Sequence, residues 1–244
     1  MTEIVLIGLQ HYDREGRARL QRALKREKPD LITVETGPKA LDLYRVKGRG
    51  KKKKSEFDEV MDLLKKKAKE RYSRDDIAEA ERFFKYVVGY EFKGALEYAG
   101  RNRISCEAID FPNEHDRQAV EVFPKLSTVT DLVEYYNMLL GSDEDVDTQE
   151  ELEGHYARYA EMLAQNNLDA QSGEVDYVRN AAFGNNPRRD HFPADRLRGL
   201  AGRDIGKIVS LVGMVHILDD PKGQTLYSII KEELQPTRKL LNSY

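Results

Sequence analysis

A chain of 244 residues is long enough for one large domain or two small ones. Apolar residues make up 40% of it and charged residues 34%, which is a folding composition with many solvated faces. A formal net charge of −3 argues against a general nucleic-acid binder, and a lone cysteine, Cys106, excludes an intrachain disulfide or a cysteine-based zinc site.

The chain opens with a strand over residues 4–9, Ile-Val-Leu-Ile-Gly-Leu, followed by Gln10 and His11. A helix is expected over about 13–26, and Pro29 stops it. Residues 31–35, Leu-Ile-Thr-Val-Glu, form a second strand that ends at the Thr36-Gly37-Pro38 turn. Strand, helix and strand within so short a span make a parallel pair with a right-handed crossover. Residues 47–54, Lys-Gly-Arg-Gly followed by four lysines, read as an exposed loop, either solvated or docking on an acidic surface.

Ser55, with Asp58 three residues on, caps a further helix, and others are expected over about 74–89 and 91–99. The third strand, 104–109, ends in Asp110 and carries Cys106 as buried filler. Helices fill the region from 113 to 183, interrupted at Pro124 and at the acidic run 142–147. A helix over 195–203 leads to the fourth strand, 208–215, with His216 just beyond it. A last helix over 225–234, Pro236 and a short strand over 237–241 complete the pattern. It reads as one α/β domain over 1–244, with a mostly parallel central sheet flanked by helices. The helical insertion at about 113–183 is a cap or an elaborated edge.

Each expected strand ends in a polar residue: His11, Glu35, Asp110 and His216. Adjacent parallel strands would gather all four at their carboxyl edge, where open α/β sheets bind ligands. A carboxylate beside an imidazole is an acid–base pair. Two histidines with a carboxylate are also a common divalent-metal set. The two histidines share a pattern, Gly8-Leu9-Gln10-His11 and Gly213-Met214-Val215-His216, and glycine lets backbone approach a ligand closely. Either histidine alone reads as a strand-end residue; the pair with Glu35 reads as a site. His115, His155 and His191 carry less, and Tyr135, Tyr136, Tyr156 and Tyr159 read as helix packing.

On these residues the chain resembles the TraB/PrgY and TIKI group, within the wider EreA/ChaN-like superfamily. The two Gly-x-x-His motifs are similar to that group's pair. Lys28-Pro29-Asp30 leading into Val34-Glu35 is similar to its second strand. Gly89-Tyr90-Glu91-Phe92, with Ala95, Ala99 and Ile109-Asp110, resembles its Glu-bearing helix and third strand. Pro187-Arg188-Arg189-Asp190 resembles its Arg-Asn or Arg-Asp motif.

The resemblance implies an α/β hydrolase of peptides or esters. His11, Glu35, Arg189 and His216 would be catalytic, and Gly8, Glu91, Asp110 and Gly213 would line the substrate. His11, Glu35 and His216 would hold Mn²⁺, Co²⁺ or Zn²⁺. The alternative is a protein that binds a small molecule, haem or a peptide without chemistry. The membrane helices of many TraB/PrgY proteins have no counterpart here, and no segment reaches the roughly 20 apolar residues of a membrane span. The expected location is cytoplasmic, and a homodimer through the last helix or the insertion is compatible with the pattern.

Overall fold

The computed structural model describes residues 2–11, 13–45, 89–110, 149–182 and 188–244. The expected loop at 47–54, the helix at 55, the helix at 74–89 except Gly89, the insertion from 113 to 148 with Pro124 and the acidic run 142–147, and His115, Tyr135 and Tyr136 lie outside the described residues.

Five strands form one all-parallel sheet: β1 (Glu3–Leu9), β2 (Leu31–Val34), β3 (Ser105–Ala108), β4 (Lys207–Gly213) and β5 (Thr237–Leu240), in the order β3-β2-β4-β1-β5. β1 and β4 lie at the centre and pair along seven residues, from Glu3 against Lys207 to Leu9 against Gly213. Both are apolar on either face, as a strand covered from both sides must be. The edge strands β3 and β5 are short and only partly buried, which limits the unpaired backbone they present.

Seven helices are described: α1 (Gly16–Glu27), α2 (Pro38–Tyr44), α3 (Tyr90–Asn102), α4 (Gln149–Ala164), α5 (Leu168–Ala182), α6 (His191–Ala201) and α7 (Leu226–Leu234). Their placement follows from chain direction. The connections through α1 and α3 run toward the β3 edge, and those through α6 and α7 run the other way. Right-handed crossovers then put the two pairs on opposite faces. Accordingly α1 packs on α3, and α6 packs on α7. The core between the layers includes Leu6, Ile7, Ile32, Val209 and Leu197, all fully buried.

Helix α6 begins at His191, four residues before the expected 195, and two other boundaries differ for physical reasons. Helix α1 starts at Gly16 instead of 13, because Asp13 makes a turn of its own: its carboxylate accepts from the Glu15 amide and its carbonyl from the Gly16 amide, both at 2.9 Å. Strand β4 stops at Gly213, two residues early, and the chain winds into a 3₁₀ turn at Met214–Ile217. That turn seats Ile217 against Gly8, where a Cβ would meet Ile217 Cδ1 at 2.7 Å. No helix among the described residues is long and apolar enough to cross a membrane.

Candidate functional site

Sheet register assembles the carboxyl edge. The Glu35 amide donates to Leu211 O at 3.1 Å, which carries β2 on alongside β4 and brings the Glu35 carboxylate to the end of that strand. There Glu35 Oε2 accepts from the Gly213 amide at 2.7 Å. On the other side of β2, the Asp110 amide donates to Thr36 O at 3.1 Å, so Asp110 stands next to Glu35.

His216 projects from the 3₁₀ turn into this edge. Its Nε2 lies 2.9 Å from Glu35 Oε1 and its Nδ1 lies 2.7 Å from Asp190 Oδ2. A neutral imidazole has one N–H, so facing a carboxylate with both nitrogens favours the imidazolium. Burial opposes that charge, but Asp190 and Glu35 outweigh it and hold the His216 pKa up at about 10. The same contacts work in reverse on Glu35. Burial would raise its pKa; His216, Arg189 and His11 push it well below the usual carboxylate range.

Arg189 bridges the two strand-end carboxylates. It donates twice to Asp110, at 2.6 and 2.9 Å, and once to Glu35 Oε1 at 2.9 Å. Asp190, next in sequence, is fully buried at the start of α6, and its Oδ2 also accepts from the Leu226 amide, the first residue of α7, at 2.7 Å. A helix N-terminus is a favourable place for a buried carboxylate. Arg179 of α5 comes within 3.7 Å of the same oxygen. The result is a chain of alternating charge: Arg179, Asp190, His216, Glu35, Arg189, Asp110.

His11 differs from the rest. Its side chain is 49% exposed. Its Nδ1 lies 3.0 Å from Glu91 Oε1, in the first turn of α3, while Glu91 itself is buried and its Oε2 has no hydrogen-bond partner among the described residues. Crowding by protein works against a charge on His11, yet the hydrogen bond to Glu91, with the charges of Glu91 and Glu35, holds its pKa above 6.5. Its Nε2 turns toward Gly213. A Cβ built on Gly213 would lie 3.8 Å from His11 Nε2, 3.6 Å from Glu35 Oε2 and 3.4 Å from His216 Cδ2. The missing side chain therefore leaves a small space bordered by both histidines and the glutamate.

The residues singled out from sequence thus fall into three groups. His11, Glu35, His216 and Gly213 surround one space, and Glu91, Arg189 and Asp110 hold them. Gly8 stands apart; its missing Cβ makes room for Ile217, a packing role. His155 contacts the Gln10 side chain, with 3.2 Å between His155 Nδ1 and Gln10 Nε2, and His191 opens α6. Asp190 stands in sequence only as the end of the Pro187-Arg188-Arg189-Asp190 motif, without a role of its own, and Arg179 is not singled out at all. Asp190 could have been found beside Arg189; Arg179, inside a helix, carries no local signal.

As a metal set, His11, Glu35 and His216 are mostly engaged, with His11 Nε2 the exception. Both nitrogens of His216 face carboxylates, and the two oxygens of Glu35 serve Arg189, His216 and the Gly213 amide. A cation would have to displace the His216 proton and share Glu35 with a guanidinium. Among the described residues no cluster of three or more such side chains has metal-binding geometry. The arrangement fits proton chemistry better than a divalent cation.

Comparison with known proteins adds no identity: no protein-family model matches the chain, and no curated protein matches it.

Proposed function

We propose that the chain is a hydrolase of esters or peptides, with His11 as its general base. The observation that carries this reading is the geometry of His11. Glu91 engages Nδ1, which fixes the ring and its tautomer, and Nε2 is left to face the space in front of Gly213. A carboxylate-oriented imidazole with one nitrogen open to a cleft is the working part of a general base.

In this reading a water sits before Gly213, near His11 Nε2 and Glu35 Oε2. His11 takes its proton as the water oxygen bonds to the substrate carbonyl carbon. The carbonyl oxygen gains the negative charge, which the positive charge of Arg189 steadies. When the carbon–oxygen or carbon–nitrogen bond of the leaving group breaks, His11 returns the proton to that group. Glu35 stays ionised throughout and keeps the Arg189 and His216 cations in place. The resemblance to the TraB/PrgY and TIKI group supports the same substrate class; a metal-dependent version would require His216 and Glu35 to reorganise first.

The test is turnover by purified protein on p-nitrophenyl esters and chromogenic peptide amides, with chelator and separately with added Mn²⁺, Co²⁺ or Zn²⁺. Turnover that survives chelation and disappears in His11→Ala is the expected result. Absence of turnover across the panel, or a His11→Ala variant as active as the parent, would overturn the proposal in favour of a non-catalytic binding protein.

A further inference from the structure

We infer that Tyr90 and Tyr156 are positioning residues for His11, and that helix α4 of the insertion therefore helps to place the base. This rests on the reading of His11 as the reactive base. The residue before it, Gln10, is held on both sides of its backbone. The Tyr90 hydroxyl, from α3, donates to Gln10 O at 2.8 Å. The Tyr156 hydroxyl, from α4, accepts from the Gln10 amide at 3.2 Å and donates to Asp13 Oδ2 at 3.2 Å. Two helices far apart in sequence thus grip the backbone of the residue next to the base.

The grip is itself fixed. Tyr90, Tyr156 and Asp13 are fully buried. Arg19 donates to Asp13 Oδ2 at 3.0 Å, and its guanidinium carbon stands 5.5 Å from the centre of the Tyr156 ring. Glu15 and Glu153 hold the outer side of Arg19. Gly16 has no side chain because Tyr90 fills the place: a Cβ there would come within 2.3 Å of the phenol ring. Phenylalanine at 90 and 156 would fill the same volume without a buried hydroxyl to satisfy, so packing alone does not call for tyrosine. What the hydroxyls add is a fixed position for the Gln10 backbone. Glu91, which orients the His11 ring, follows Tyr90 directly, so α3 controls both the backbone and the ring.

Tyr90→Phe, Tyr156→Phe and the double variant test this. The rate at which diethyl pyrocarbonate modifies His11 is followed by peptide mass spectrometry, with the exposed His191 as internal reference. Melting temperature and steady-state kinetics on a p-nitrophenyl ester are measured in parallel. In folded variants the His11 rate should change about threefold or more while His191 holds constant, and kcat should fall about tenfold with KM little altered, since a small displacement of a reacting group is costly. A purely structural pair of tyrosines would lower the melting temperature and leave both quantities where they were. Unchanged His11 reactivity in the folded single variants overturns the inference even if the double variant fails to fold. Changed reactivity in a protein without ester turnover would keep the clamp and sink the hydrolase.

Discussion

Gly213 and His11 face each other across the end of the central strand pair, with His11 Nε2 only 3.8 Å from where a Gly213 side chain would begin. Gly213 has a φ of −57°, which any residue adopts, and the nearest atoms to the added carbon lie at ordinary contact distance. Gly213→Ala should therefore fold with a stability change below about 1 kcal/mol. It should still lose turnover, because the methyl group takes the space assigned to water. Gly8→Ala should behave oppositely, since its added carbon overlaps Ile217. It should cost about 1–3 kcal/mol by overpacking. Urea denaturation beside turnover separates the two behaviours.

The buried imidazolium makes a second contrast. His216→Ala leaves Glu35 and Asp190 without their shared cation, which should cost about 3–5 kcal/mol. His11→Ala removes a half-exposed ring and should cost less than about 1 kcal/mol. The pH dependence follows by linkage. The His216 pKa is raised from 6.5 to about 10, so its contribution is complete below 6.5 and is lost as pH climbs through about 10. Glu35 is depressed from 4.5, so its contribution is complete above 4.5 and lost as pH falls below it. Stability from this pair should level off between 4.5 and 6.5 and then decline by up to about 1.4 kcal/mol per pH unit. Chemical denaturation from pH 4 to 10 measures it, and His216→Gln should remove the alkaline decline.

Much of this was legible in the chain, for a definite reason. Parallel strands buried on both faces are written as apolar runs, so Ile4 to Leu9 and Ile208 to Val212 announce themselves. Once those runs are parallel neighbours, His11, Glu35, Asp110 and His216 must meet at one edge. Sequence could not order the strands, because β1 and β4 become neighbours only through register. Nor could it separate the two histidines, which share a motif. The difference lies in their partners: Glu91 from α3 for one, Asp190 from the start of α6 for the other. Tyr156 looked like packing because a helix pattern shows which residues are buried, not which loop a hydroxyl reaches.

The pH dependence of catalysis should reflect the exposed histidine. A general base works unprotonated, so kcat/KM should fall as pH drops through the His11 pKa, with a midpoint above 6.5. The Glu91 hydrogen bond and charge hold that pKa up against the effect of crowding. Glu91→Gln keeps an acceptor for Nδ1 but removes the charge, and should move the limb to lower pH. An unmoved limb in a folded, active Glu91→Gln variant would break the assignment of His11 as base.

Chelation distinguishes the two ways of using the same residues. With His216 protonated between two carboxylates and Glu35 held by Arg189, the site has no ligand pair waiting for a cation. Dialysis against EDTA should leave kcat unchanged, and Zn²⁺ added to the dialysed protein should bind weakly or inhibit by capturing His11 Nε2. Arg189→Met sharpens the comparison. It frees Glu35 and Asp110 from their shared guanidinium, so two carboxylates stand close together in a poorly solvated edge. That variant should bind divalent cations more tightly than the parent, because opposite charge lowers the cost of holding such a pair ionised. Isothermal titration reads the difference. Loss of activity on chelation, restored by one equivalent of metal, would mean that His216 gives up its proton and Glu35 changes partners on loading.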